Sequence, residues 1–445
     1  MPGPALASHG LRVEQDDQSI ITQLITKVIM QAQMPRVVVT GLSAITPIGK
    51  DLESSWQSLL SGRSGVAELT RFDCSNYATK IAAEVKDFDT SPFMSVKEAR
   101  RMDRFCHFAV ASAKMLMQHS GLDRDQMDMS RCGAIIGCGL GGLETIEDFH
   151  TKLLQSGPKR ISPFYIPLLI ANMAAGQISM VTGARGPNLA TTSACASGLH
   201  GIGYAFSDIR LGRAQAMICG GVESTITPMA VSGFNAMKAL STSNESPEKA
   251  SRPFDLHRNG FVIGEGSGLL LLETLDSALE RGATIYAEVV GFGASADAFH
   301  MTAPDESGQG MALAMKQALN EAGVAPEQVE HINAHGTSTK LNDASETRAV
   351  KEVFGRHAYD MLLTANKSMI GHSLGAAGGI ESVFSVLSLY YSKIPGTINL
   401  ETPDPECDLD YCAHGTVSRK IRFALCNSFG FGGTNASILF KEFEK

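Results

Sequence analysis

Cys195 stands in "NLATTSACASGLHGIGYAF", residues 188–206. A β-prone run ends at it, and the small residues Ala196, Ser197 and Gly198 follow before a helical pattern begins. A cysteine so placed lies at a strand-to-helix turn, at the positive end of a helix. There the macrodipole and free N–H groups favour thiolate, and the same N–H groups can receive an oxyanion. A lone cysteine is more often a structural core residue, but small flanking residues that admit a substrate tilt this one toward chemistry. His335 in "NAHGTSTKLNDASE" and His372 in "KSMIGHSLG" each sit on a turn bracketed by glycine, with hydroxyls nearby. A lone histidine of this kind is more often structural, but two such turns after a strand-end cysteine make a more specific set.

Two motifs compete with this reading. Gly371-His372-Ser373-Leu374-Gly375 fits G-x-S-x-G, the elbow that presents a hydrolase serine. That elbow needs an acid and a histidine later in the chain, and only His414 remains downstream. A serine hydrolase using Ser373 is the alternative, testable by fluorophosphonate labelling. The second motif is "GCGLGG", residues 137–142, which fits G-x-G-x-x-G. A dinucleotide site also wants an acid about 20 residues further on, where this chain reads "GPKRIS". A glycine-rich turn that permits close packing is the better reading.

These residues must be held by an α/β scaffold. Apolar runs at 36–42, 133–137, 216–221, 268–274, 285–293 and 331–336 are predicted strands buried on both faces. Segments 96–120, 141–154, 195–213, 308–323, 342–355 and 371–391 are predicted helices. "AKMLMQHSGLDRDQMD" (113–128) is echoed by "MKQALNEAGVAPEQVE" (315–330). Each is a helix ending at glycine, a turn with acid and glutamine, then an apolar strand. The echo predicts a duplicated architecture with its boundary near residue 284.

The set "TSACASG", "RPFDLHRNGFVIGEGSG", "NAHGTST", "KSMIGHSLGAAG" and "NSFGFGGTN" resembles the β-ketoacyl-acyl carrier protein synthases, type II most closely. Motif order and spacing agree over residues 35–443. The resemblance implies a thiolase-like, duplicated αβαβα layered fold with two pseudo-repeated halves, 35–284 and 285–445. It implies Cys195 as nucleophile with His335 and His372 beside it, Lys367 as the family lysine and Glu346 as the acid of "NDASE". The reaction implied is a decarboxylative Claisen condensation between an acyl chain on Cys195 and malonyl-acyl carrier protein, with no redox cofactor. Two neutral imidazoles can both donate to the enolate oxygen, and backbone N–H groups of Cys195 and Phe431 would hold the acyl oxyanion.

Further positions follow from the same resemblance. Phe429 and Phe431 in "NSFGFGG" would form a glycine-hinged gate, the second closing the acyl tunnel. Leu140 would line the acyl pocket. Thr302, Thr337 and Thr339 would meet the pantetheine arm. Lys97, Arg100, Arg101 and Lys238 would dock the acidic carrier. Lys367 would be electrostatic and structural, pairing with Glu346. Asn333, Glu381 and Asn435 match the side-chain ligands of a monovalent cation site. A homodimer is implied. A polyketide-type ketosynthase shares the same centre, but such enzymes usually come fused to other domains, for which 445 residues leave no room. A non-catalytic chain-length partner would lack the nucleophile.

Bulk composition agrees. With 44% hydrophobic and 19% charged residues the chain can bury large cores. A net charge of −8 argues against a nucleic-acid binder, and no apolar run is long enough for a membrane span. The nine cysteines, 74, 106, 132, 138, 195, 219, 407, 412 and 426, include no C-x-x-C pair, which disfavours zinc knuckles and predicts a reducing compartment. Residues 1–34 read as a leader whose acids and scarce arginine make a poor transit peptide. Cytoplasm is expected, with mitochondrion as the alternative.

Overall fold

The structure, a computed structural model, describes residues 34–125 and 127–444. The expected leader therefore lies, but for Met34, outside the described residues. Ten strands form one mixed sheet: β1 (Val37–Ile45), β2 (Cys132–Gly137), β3 (Asn188–Thr191), β4 (Ala216–Glu223), β5 (Gly266–Thr274), β6 (Ala287–Ala296), β7 (His331–Asn333), β8 (Leu362–Thr364), β9 (Phe423–Gly430) and β10 (Thr434–Lys441). Their order is β8-β7-β9-β10-β6-β1-β5-β4-β2-β3. Six helices matter here: α1 (Arg104–Ser120), α2 (Leu143–Ser156), α3 (Ser197–Arg210), α4 (Gln309–Ala322), α5 (Lys340–Phe354) and α6 (Ala377–Tyr391).

The duplication is explicit in this order. One half runs β1-β5-β4-β2-β3 and the other β6-β10-β9-β7-β8. In each, the first three strands pair antiparallel and the last three parallel. The halves join where Val37–Val39 pair with Ala287–Val289. Helices α3 and α6 touch strands of both halves, so they form the middle layer, while α1 and α4 cover the outer faces. The echoed sequences occupy equivalent places: α1 ends at Gly121 and α4 at Gly323, both left-handed, with φ of 62° and 65°, as helix C-caps favour.

β1, β2 and β4 are buried along their whole length, which is why they read as continuous apolar runs rather than alternating ones. Two helix expectations need correction. Segment 96–120 is a single turn (Val96–Ala99), a break at 100–103, and then α1. Asp103 causes the break: its carboxylate caps the Phe105 N–H and also binds Thr145. Segment 371–391 becomes regular helix only at Ala377, because His372 is drawn into a bridge with Ile263.

Candidate active site

The duplication sets the geometry of the site. Cys195 lies between β3 and α3, and His372 occupies the equivalent connection between β8 and α6. His335 follows β7, where the first half has the glycine loop after β2. Cys195 Sγ and one ring nitrogen from each histidine lie within 4.8 Å of one another, all three residues buried. His372 Nε2 is 3.0 Å from the sulfur, and the two imidazoles meet edge to face with centroids 5.3 Å apart.

Local sequence explains the elbow at Cys195. Ala194 is left-handed with φ of 51°, a conformation that costs free energy for a residue with a Cβ. Ser197 holds it: its hydroxyl accepts from Ser193 N at 2.9 Å and donates to Ala194 O at 2.6 Å. The strand expected to reach Cys195 stops at Thr191 to make this turn. The small residues after Cys195 serve packing rather than substrate entry. A Cβ on Gly198 would stand 2.7 Å from Gly379 N, so α3 and α6 touch backbone to backbone.

The thiol differs from the expectation of a thiolate. Burial pushes the Cys195 thiol up to about 11, outweighing the charge of Lys367 and the backbone N–H groups of Phe431 and Cys195, which favour ionisation. Both histidines are held well below their ordinary range by burial and by Lys367, so they are neutral. Lys367 Nζ donates to Glu381 Oε1 at 2.5 Å and His335 O at 2.6 Å, and lies 3.3 Å from His335 Nδ1. An ammonium has only protons to give. Nδ1 of His335 is therefore the acceptor, and its proton sits on Nε2.

The expected partner Glu346 is corrected by this geometry. Lys367 pairs with Glu381. Glu346 instead accepts the backbone N–H groups of His335 and Gly336, each at 2.8 Å, and so holds the loop that carries His335. Burial pushes both acids up to about 7.

The three buried groups open into a pocket of about 770 Å³. Leu140, Lys238, Thr302, Thr337, Thr339, Phe429, Phe431 and Asn435 all line it. Phe429 is not in a hinge. It lies within β9, 6% exposed, edge-on to His335. Phe431 stands at the tip of the β9–β10 hairpin beside left-handed Gly432 and Gly433. Lys97, Arg100 and Arg101 are exposed and do not line the pocket.

Both competing motifs are explained. Ser373 is buried and its hydroxyl has no partner among the described residues, so no base activates it. The glycine loop after β2 already holds an anion of its own, the carboxylate of Glu223, which accepts from Gly139, Leu140 and Gly141. Sequence reasoning did not single out Glu223. The available signal was an acid closing the apolar run "AMICGGVE".

A Cys-His-His set could hold a divalent ion, but Lys367 directly behind His335 opposes a further positive charge. For the monovalent site, Asn333 Oδ1 and Glu381 Oε2 are buried oxygens without hydrogen-bond partners among the described residues, which suits a cation. Asn435 instead donates to Asp297 at 2.7 Å on the pocket wall. All nine cysteines are unpaired.

Residues 34–278 match the family model described as "Beta-ketoacyl synthase, N-terminal domain", and residues 286–401 match its C-terminal counterpart. The chain belongs to the β-ketoacyl synthase family. A Synechocystis protein named 3-oxoacyl-[acyl-carrier-protein] synthase 2 is 52% identical over 409 residues, covering 92% of this chain and 98% of that protein. A Staphylococcus aureus protein of the same name is 48% identical over 413 residues, covering 93% and 100%. Among solved structures, a β-ketoacyl synthase from Burkholderia phymatum superposes with a TM-score of 0.86 at 33% identity, covering 92% of this chain and all of that one. A type II polyketide ketosynthase in complex with its acyl-carrier protein gives 0.85 at 34% identity, covering 93% and 100%.

Proposed function

We propose that this β-ketoacyl synthase is a 3-oxoacyl-acyl carrier protein synthase that elongates fatty acyl chains by condensation with malonyl-acyl carrier protein. The observation that carries this is the buried thiol with two neutral imidazoles on the floor of an apolar pocket. In the first half-reaction Cys195 sulfur attacks the acyl thioester. Its proton passes to His372 Nε2, 3.0 Å away, and on to the departing carrier thiol. N–H groups of Cys195 and Phe431 face the developing oxyanion. In the second, malonyl thioester loses carbon dioxide, and the enolate oxygen accepts from His335 Nε2–H and from His372 once its single ring proton has moved from Nδ1 to Nε2. His335 is preset as a donor because Lys367 occupies its Nδ1. The enolate carbon attacks the acyl-Cys195 carbonyl, releasing 3-oxoacyl carrier and, with one proton, free thiol. A monovalent cation, if bound, would be held by the side-chain oxygens of Asn333 and Glu381 and would supply further positive charge near the site.

Thr302, Thr337 and Thr339 line the pantetheine path, Leu140 the acyl pocket, and Phe431 gates it. Lys97, Arg100 and Arg101, exposed outside the pocket, and Lys238 on its wall would be the cations that dock the acidic carrier. Halves 35–284 and 285–445 supply the nucleophile and the histidines respectively. A homodimer is supported by β3, a sheet edge whose Asn188 and Leu189 are exposed. Bacterial relatives support a cytoplasmic setting, and no helix among the described residues is long and apolar enough to cross a membrane.

The polyketide reading shares the fold, but identity is higher to the two 3-oxoacyl synthases than to the polyketide ketosynthase. The test is mass spectrometry after incubation with acyl-carrier protein. Acyl mass should map to Cys195. Cys195→Ala should lose condensation yet retain some malonyl decarboxylation. Acylation elsewhere, or full condensation by that variant, would overturn the reading.

A further inference from the structure

Glu223, at the end of β4, is fully buried. Its Oε2 accepts from Gly139 N at 2.6 Å and Gly375 N at 3.1 Å, and its Oε1 from Leu140 N and Gly141 N, each at 3.3 Å. A carboxylate offers about four lone-pair sites; four backbone N–H groups engage them, and the Cys138 thiol also lies 3.5 Å from Oε1. No lysine or arginine forms an ion pair with it among the described residues. The donors come from two segments far apart in sequence: the loop after β2, and the turn between His372 and α6. These segments touch directly. A Cβ on Gly375 would stand 2.3 Å from Gly139 N and 2.7 Å from Glu223 Oε2. Each segment also sends one leucine into the pocket wall around Cys195, Leu140 from the first and Leu374 from the second.

We propose that Glu223 is a positioning residue that sets the width of the acyl channel, and so the chain lengths Cys195 accepts, by clamping the Leu140 loop to the Leu374 turn. The proposal rests on the ketosynthase reading above. Its effect falls on selectivity rather than on condensation chemistry, because His372 is pinned independently: its N–H donates to Val262 O at 2.7 Å and its carbonyl accepts from Gly264 N at 2.9 Å. A glutamine at 223 would turn its own N–H₂ toward N–H donors: with its oxygen in the Oε2 place the Leu140 and Gly141 N–H groups lose their acceptor, and with the amide reversed Gly375 loses its own, so the clamp loosens either way.

The experiment uses full-length Glu223→Gln and measures transfer to Cys195 from carrier proteins bearing short, medium and long saturated chains. The expected result is a change on the order of tenfold in the long-to-short ratio of kcat/KM, the scale on which small changes in apolar pockets discriminate. Malonyl-carrier decarboxylation, which needs no acyl channel, should be retained. Glu273→Gln is the control. Glu273 is equally buried but is held by Arg281 and Ser277 away from the pocket; its loss should lower the melting temperature without moving the ratio. If Glu223→Gln does not fold, Glu223→Asp keeps the charge on a shorter stem and should shift the ratio in the same assay. An unchanged ratio in the folded variant, or a uniform loss at every chain length, would overturn the clamp. Failure of the wild-type protein to acylate Cys195 at all would instead overturn the ketosynthase reading.

Discussion

Lys367→Met removes the buried ammonium beside His335 while keeping an unbranched apolar stem of similar reach. Lys367 is 1% exposed and Glu381 fully buried, with 2.5 Å between Nζ and Oε1. Deleting one partner of a buried ion pair leaves an uncompensated charge and costs about 3–5 kcal/mol. Glu381 is already pushed up to about 7 by burial, so at neutral pH it can take up a proton, and the loss is expected near about 3 kcal/mol. Adding Glu381→Gln removes the orphaned charge and should restore most of that stability. It should not restore activity. Without the ammonium at Nδ1, His335 is free to place its proton there and present Nε2 as an acceptor toward the enolate oxygen. A missing oxyanion donor costs about 2.7–4 kcal/mol, a loss of about 10²–10³ in rate. The assay pairs denaturation curves with malonyl-carrier decarboxylation, and mass spectrometry checks that Cys195 still accepts an acyl chain. A double variant with wild-type decarboxylation would refute the tautomer argument. A single variant as stable as wild type would refute the ion-pair argument.

Phe431→Ala should slow transacylation at least about tenfold while changing stability by under about 1 kcal/mol, since the ring stands at a hairpin tip rather than in the core; a large melting shift with unchanged kinetics would make it a packing residue. Reversing Arg100 and Arg101 to Glu should raise KM for carrier substrates several-fold, in a salt-dependent way, and spare a short pantetheine thioester; equal losses on both substrates would remove these arginines from docking. Glu346 is raised by burial from 4.5 to about 7, so between those values the folded state keeps a proton that the unfolded chain has released. Its contribution to stability therefore falls as pH rises through that window. The melting difference between wild type and Glu346→Gln should shrink from pH 4.5 to 7, and a difference that stays flat would contradict this assignment.

Local pattern carried much of this molecule. Fully buried strands such as β1 and β4 are legible because burial on both faces demands unbroken apolar runs. The echoed helix-glycine-strand segments are legible because a left-handed C-cap selects glycine in both halves. The resemblance pointed to the thiol, the histidines and the lysine, since each lies in a turn whose glycines and small residues mark it. What stayed hidden depends on partners distant in sequence. Nothing in the order of residues says that Lys367 reaches Glu381 rather than Glu346, because both acids lie on helices at plausible spacing and only the packing of α6 against β9 decides. Glu223 reads as the polar end of a strand until the fold brings residues 139–141 and 375 to its carboxylate. The ionisation of Cys195 also belongs to tertiary structure. A helix N-terminus lowers a thiol's pKa and complete burial raises it, and the balance depends on how much of the chain closes around the sulfur.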